Sequence, residues 1–216
     1  MSENRTAQLV VQAMYCAFGL VAVVGSFGTF EARFDASFYT KFTNLSNYLC
    51  LGIMMAELVQ TARKRNDSYV GFSPVLKFVG MLSILLTFFV FNIMLMPTRT
   101  IEQNLSVGSL LCHQVLPVFY VADWIVFYRR GQVRITYPLI GALVPIAYVV
   151  FIFVRAAALG FVGDDLYPYF FLDLDKLGVA GVATWVTILT VAFMVMGYAI
   201  YGLDRLAARR RLMSCE

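Results

Sequence analysis

Charge is scarce in this sequence, and histidine is scarcer still. Of its 216 residues, 14% are Asp, Glu, Lys or Arg and one, His113, is histidine. A soluble domain carries about 25% charged and about 45–50% apolar residues. Here 60% are hydrophobic and the mean hydropathy is +0.75, so the chain needs a solvent other than water. A lone imidazole excludes a bis-histidine haem protein, a zinc protease of the His-Glu-x-x-His type and a multi-histidine metal transporter, all of which need further ligands. Cysteine is also sparse, at four residues with no metal-ligand spacing. Cys16, Cys50 and Cys112 lie in apolar runs and Cys215 in the tail, so no pair is set for a disulfide and no metal is expected. No glycine-rich loop that could cradle phosphate is present. No repeat, low-complexity tract or linker divides the chain, and no cofactor is expected.

What the sequence has in abundance is long apolar runs. They read as spans over about 8–30, 36–62, 75–97, 106–127, 138–158 and 178–203. Each can cross a hydrocarbon core of about 30 Å at 1.5 Å per residue. Backbone groups in lipid must be satisfied within the segment, so each run is expected to be a helix. The expected fold is therefore an all-α bundle of six transmembrane helices in one domain, 1–216. The first run is too long for a signal-peptide core of about 7–15 residues and is expected to be retained.

Basic residues orient the bundle. With the N-terminus cytoplasmic, Arg5, Arg63, Lys64, Arg65, Lys77, Arg129, Arg130, Arg134, Arg205, Arg209, Arg210 and Arg211 fall on the cytoplasmic side. The outer side keeps Arg33, Lys41, Arg99 and Lys176, with an acidic loop of Asp164, Asp165, Asp173 and Asp175. That bias puts both termini in the cytoplasm. The net charge of +4 then reflects topology and contact with anionic lipid, and no nucleic-acid partner is implied.

A polar side chain at membrane depth is costly and so marks a functional site by default. Those within spans are Thr43, Asn44, Ser46, Asn47, Glu57, Asn92, His113, Asp123 and Arg155. Orientation assigns Thr43, Asn47, Asn92, His113 and Arg155 to the outer half, and Glu57 and Asp123 to the inner half. His113 lies about 10 Å below the start of its span. Thr43 reaches the same level if its helix starts upstream, with Asp35 or Ser37 as N-cap. Pro117 has no N–H for the carbonyl of His113, so a kink is expected beside the imidazole. Each residue also has a plain reading. His113 could be a buried histidine satisfied by one neighbour, and Thr43 a hydroxyl bonded back to the preceding turn.

Three elements carry a resemblance. Phe42-Thr43-Asn44-Leu45-Ser46-Asn47 resembles the Phe-Thr-x-x-Ser-Asn element of the androgen-induced membrane protein family, which includes the androgen-dependent regulator of tissue factor pathway inhibitor and bacterial relatives. His113-x-x-x-Pro117 resembles its histidine-bearing element. Tyr167-Pro168-Tyr169-Phe170-Phe171-Leu172-Asp173 resembles its Tyr-Pro-aromatic-Leu-Asp loop. The order of the elements and the six-span layout agree along most of the chain.

The resemblance implies an intramembrane hydrolase of fatty acid esters of hydroxy fatty acids, in a bacterial inner membrane with the site in its periplasmic half. Thr43 would be the nucleophile and His113 the general base, through an acyl-threonine intermediate. Asn47, then Asn92, are the expected oxyanion donors or supports. Asp173 could orient His113 or simply cap a helix, and Arg155 could hold a substrate carboxylate or pair with Asp164 or Asp165. The expected partners are a lipid or fatty acid ester and membrane lipids. The alternatives are a transporter or lipid-binding protein whose Glu57 and Asp123 help line a path, or a structural membrane protein in which Thr43 and His113 lie apart.

Overall fold

A computed structural model describes residues 5–32, 34–63, 71–160 and 166–213. Arg33, Lys64, Arg65, Asp164, Asp165 and Cys215 therefore lie outside the described residues. Those described are helical or in turns, without a strand. Helix α1 covers Arg5–Ser26, α2 Phe42–Arg63 and α3 Pro74–Val90. Helix α3 continues through a π turn, Phe91–Leu95, into a 3-10 turn, Met96–Thr98. Short helices α4 (Ile101–Leu105) and α5 (Val107–Leu110) follow, then a π turn, Leu111–Val115, leading into α6, Leu116–Phe127. Helix α7 is Tyr137–Ala158 and α8 is Leu174–Met213, interrupted at Gly178, whose φ of 62° is left-handed.

The starts have local chemical causes. Ser73 caps α3 and Pro74, needing no N–H partner, follows it. Thr100 and Gln103 form a reciprocal capping box on α4. Ser106 caps α5 through the N–H of Ser109.

Among the described residues, five helical segments are long and apolar enough to cross a membrane: Arg5–Ser26, Pro74–Thr98, Val107–Phe127, Tyr137–Ala158 and Leu174–Arg210. They agree with five of the expected runs to within a few residues at most ends, though the first ends at Ser26 rather than 30. Helix α2 matches α1 and α7 in length at 22 residues, but Asn44, Ser46, Asn47 and Glu57 make it polar. It compensates by burial. All four of these side chains are buried, α2 packing between α1 and α3 with the π turn at 111–115 also against it. The apolar side chains of the outer helices face outward instead, among them Leu143, Val154, Val191 and Val195, each more than 55% exposed. Such a continuous exposed apolar surface suits lipid and not water.

The start of α2 corrects an expectation. The helix begins at Phe42, not near residue 36, and neither Asp35 nor Ser37 caps it. The Asp35 carboxylate instead accepts from the N–H and hydroxyl of Ser37 (2.9 and 2.6 Å) and from Lys41 Nζ (3.1 Å). These bonds and the Lys41 charge hold its carboxyl down at about 2, against desolvation. The turns over 36–40 carry the chain into the protein before the helix starts. Thr40 is 2% exposed, and its carbonyl accepts from the Tyr148 hydroxyl of α7 at 2.8 Å. Thr43 thus reaches depth through buried turns and not through two turns of helix.

The opposite end is tied separately. Arg5 donates to the carbonyls of Thr61 and Ala62 at the end of α2 (3.1 and 2.8 Å), where the helix dipole favours a cation. Asp204 of α8 accepts from the N–H groups of Gly131 and Val133.

Candidate active site

Two helices carry π turns at the same level, and the site is built where they face one another. In each, one N–H reaches back five residues: Met96 to Phe91, and Leu116 to Leu111. A π turn widens the helix and re-aims its side chains, and such turns are frequent at functional sites. Here the Phe91 ring lies on the His113 ring, centroids 3.7 Å apart and 13° from parallel. One residue on, Gln114 Nε2 donates to Asn92 Oδ1 at 2.8 Å.

The π turn also redirects the effect of Pro117. With Leu116 bonded to Leu111, the next nitrogen in that register is Pro117, and its missing N–H leaves the carbonyl of Cys112 to another donor. Asn47 fills the vacancy. Its Nδ2 donates to Cys112 O at 3.2 Å and to Thr43 O at 2.8 Å.

Thr43 Oγ1 lies 3.3 Å from His113 Nε2, joining residues 70 apart in sequence. The other ring nitrogen, Nδ1, lies 2.9 Å from the carbonyl of Ser109 and 3.5 Å from its hydroxyl. A carbonyl can only accept, so Nδ1 carries the proton and Nε2 turns its lone pair toward the threonine. His113 is buried, at 8% exposure, and Thr43 half-buried. A histidine fixed in this tautomer beside a hydroxyl can act as a general base.

The pair stands between two cavities. One is an apolar slot of about 80 Å³ between α3, α7 and α8, lined by Phe42, Thr43, Leu86, Phe91, Pro145 and Leu189 among others. The other is a polar vestibule of about 630 Å³, reached by Asp35, Lys41, Arg99, Gln103, Ser109 and His113. Thr43, Leu95 and Tyr169 line both.

The remaining expected residues are placed as follows. Asn47 is beside Thr43, but both amide hydrogens are engaged by carbonyls, so it has none left for an oxyanion. It serves as a support. Asn92 donates to Phe88 O at 2.8 Å, accepts from Gln114 and lines neither cavity, so it is not brought beside Thr43. Asp173 does not orient His113; the Ser109 carbonyl does. Asp173 Oδ1 accepts from the N–H groups of Asp175 and Lys176, and Oδ2 pairs with Lys176 Nζ at 2.8 Å. It is a cap on the first turn of α8, its carboxyl held below the usual range first by the Lys176 ammonium. Arg155 donates to Leu166 O at 3.1 Å and lies over the Tyr39 ring, lining neither cavity. The vestibule cations are Lys41 and Arg99, the latter also over Phe91.

Phe91, Ser109 and Arg99 had no distinguishing signal in sequence, because their parts come from long-range pairing. Tyr169 did have one, in the aromatic loop. Its hydroxyl accepts from the backbone N–H of Thr43 at 3.3 Å. Among the described residues no group of three His, Cys, Asp or Glu side chains could hold a metal ion.

A second polar cluster lies at the other end. Lys77, expected at the cytoplasmic surface, is fully buried. Its Nζ lies 2.6 Å from Asp123 Oδ2, 2.8 Å from Met54 Sδ and over the Tyr120 ring. The Asp123 carboxylate makes that burial tolerable. Glu57, also fully buried, accepts from the Phe72 N–H at 3.0 Å.

No protein-family model matches the chain, and no curated protein and no solved structure matches it either.

Proposed function

We propose that this chain is an intramembrane lipid ester hydrolase with Thr43 as nucleophile and His113 as general base. The observation that carries this reading is the 3.3 Å approach of Thr43 Oγ1 to a histidine whose other nitrogen is tied to a carbonyl, at the junction of an apolar and a polar cavity. The apolar slot suits an acyl chain, and the vestibule supplies water and room for a polar leaving group. The motif resemblance to the androgen-induced family supports the same assignment.

The chemistry runs in two balanced halves. His113 Nε2 takes the Thr43 proton as Oγ1 attacks the ester carbonyl carbon. The tetrahedral intermediate expels the alcohol, which takes the proton back from His113, and leaves an acyl-threonine. Water, activated by the same nitrogen, then releases the fatty acid. No metal or cofactor enters this scheme.

Six helices would cross the bilayer, α2 among them, with both termini cytoplasmic and the site in the outer, periplasmic half of a bacterial inner membrane. Helix α2 can cross despite its polarity because its polar side chains are buried against neighbours. The substrate class implied by the resemblance is a fatty acid ester of a hydroxy fatty acid.

The other reading, a transporter or lipid-binding protein, draws on Glu57, Lys77 and Asp123. Against a through-path stand the residues between the two clusters on each helix. Leu51 and Ile53 on α2, Met81, Leu82 and Ile84 on α3, and Leu116 on α6 are buried and apolar, and the Ser83 hydroxyl among them is held by the Val79 carbonyl.

The test is turnover of a branched fatty ester by purified protein in detergent. Thr43→Ala and His113→Ala are expected to remove it while leaving the protein folded. Wild-type turnover surviving both changes would sink the proposal.

A further inference from the structure

We infer that Tyr169 supplies the hydrogen bond that stabilises the oxyanion when Thr43 attacks an ester. The inference rests on the hydrolase reading and adds to it a residue for which the resemblance implies no role.

The need for such a group follows from the committed state of its neighbours. An oxyanion forming at the carbonyl must meet a donor whose hydrogen is not already held. Asn47 gives both hydrogens to carbonyls, and Asn92 gives one to Phe88, accepts from Gln114 and lines neither cavity. Asn44 gives one amide hydrogen to Phe38 O and lines only the vestibule, while Ser46 donates to Thr43 O and Tyr148 to Thr40 O. Tyr169 differs from all of these. Its hydroxyl receives the Thr43 N–H at 3.3 Å, while among the described residues no carbonyl takes its hydrogen. Accepting from an N–H polarises a hydroxyl and strengthens it as a donor. Once Oγ1 has bonded to carbon, the phenol hydrogen can turn to the new oxyanion nearby. The proton stays on Tyr169 throughout, and only the hydrogen bond is exchanged.

The ring is held in position for this. It stacks on Phe171, centroids 5.1 Å apart and 4° from parallel, and meets Tyr148 edge-on. It also lines both cavities beside Thr43, so an ester entering the slot with its carbonyl at Thr43 passes along its hydroxyl edge.

The test compares wild type, Thr43→Ala, Tyr169→Phe and Tyr169→Leu in ester turnover and in the rate of fluorophosphonate labelling. Tyr169→Phe keeps the ring and the cavity wall, and loses only the hydroxyl. Loss of one oxyanion donor lowers kcat by about 10²–10³-fold. We expect Tyr169→Phe to fall on the order of 10²-fold in kcat with KM within about twofold, and to label correspondingly slowly. If Tyr169→Phe matches wild type while Tyr169→Leu fails, Tyr169 is a wall only and the inference is overturned. If Tyr169→Phe raises KM with kcat unchanged, it is overturned as well. Absence of any Thr43-dependent turnover or labelling in the wild type overturns the hydrolase reading and this inference together.

Discussion

The two polar clusters of this bundle both lie among its packed helices and are opposite in character. At one end Lys77 and Asp123 are an ion pair at 2.6 Å, fully enclosed, with Met54 and Tyr120 against the ammonium. At the other end Thr43 and His113 are neutral, separated by a looser 3.3 Å, and open to two cavities. A buried ion pair is rigid because either partner alone is costly, so it serves to fix which helices meet. A neutral pair costs less to leave partly unsatisfied than a buried charge does, so it can accept a substrate. The contrast separates polar groups that hold helices together from polar groups free to react, which depth alone does not do.

Breaking each cluster should therefore have different consequences. The largest effect is expected at the open pair. Thr43→Ala or His113→Ala should lower ester turnover by at least about 10³-fold, as loss of a nucleophile or its base does. Thermal unfolding in detergent should hardly move.

The closed pair should respond the other way. Lys77→Met strands the Asp123 carboxylate and should cost about 3–5 kcal/mol of stability. Lys77→Met combined with Asp123→Leu should recover most of that loss, because the stranded charge is gone. Turnover per folded molecule should stay near wild type in the double variant. A double variant no more stable than the single would show that the ion pair itself, and not the avoidance of an unpaired charge, holds the helices.

Asn47 lies between the two extremes. Asn47→Leu should cost about 1–3 kcal/mol, since it strands the buried Cys112 carbonyl left by Pro117. It should also lower turnover, because the same amide holds the Thr43 carbonyl. A loss of turnover without loss of stability would assign Asn47 to the chemistry instead.

The smallest effect concerns the turns that lead Thr43 into the protein. Asp35 is depressed from 3.8 to about 2, so its contribution is full above the unfolded value and is lost as pH falls from about 4 through 2. The group is only partly buried, and solvent screening keeps the effect small. Hydrogen exchange over 34–41 should quicken across that window in the wild type, and Asp35→Asn should remove the pH dependence.

Much of the fold was legible in sequence for a simple reason: a hydrocarbon solvent demands about 20 apolar residues per crossing. The five apolar spans follow from it directly. Sorting polar residues by depth also brought Thr43 and His113 to one level, and the motif resemblance joined them. Other features rest on contacts between distant residues, which a linear reading cannot supply. The π turns arise where α3 and the 107–127 segment face each other, and they put the Cys112 carbonyl in reach of Asn47. Lys77 reads as a surface cation until Asp123 is beside it. Asp173 reads as a triad acid because its motif lies on the correct side, yet its own helix claims both oxygens. The buried entry to α2 was hidden because turns and a longer helix bring Thr43 to similar depth.

The most direct measurement is peptide mass mapping after fluorophosphonate treatment of the purified protein. A nucleophilic Thr43 activated by His113 predicts one covalent adduct on the peptide bearing Thr43, lost in Thr43→Ala and in His113→Ala. An adduct on another residue that persists in both variants, or none in a wild type that still hydrolyses the ester, would contradict it.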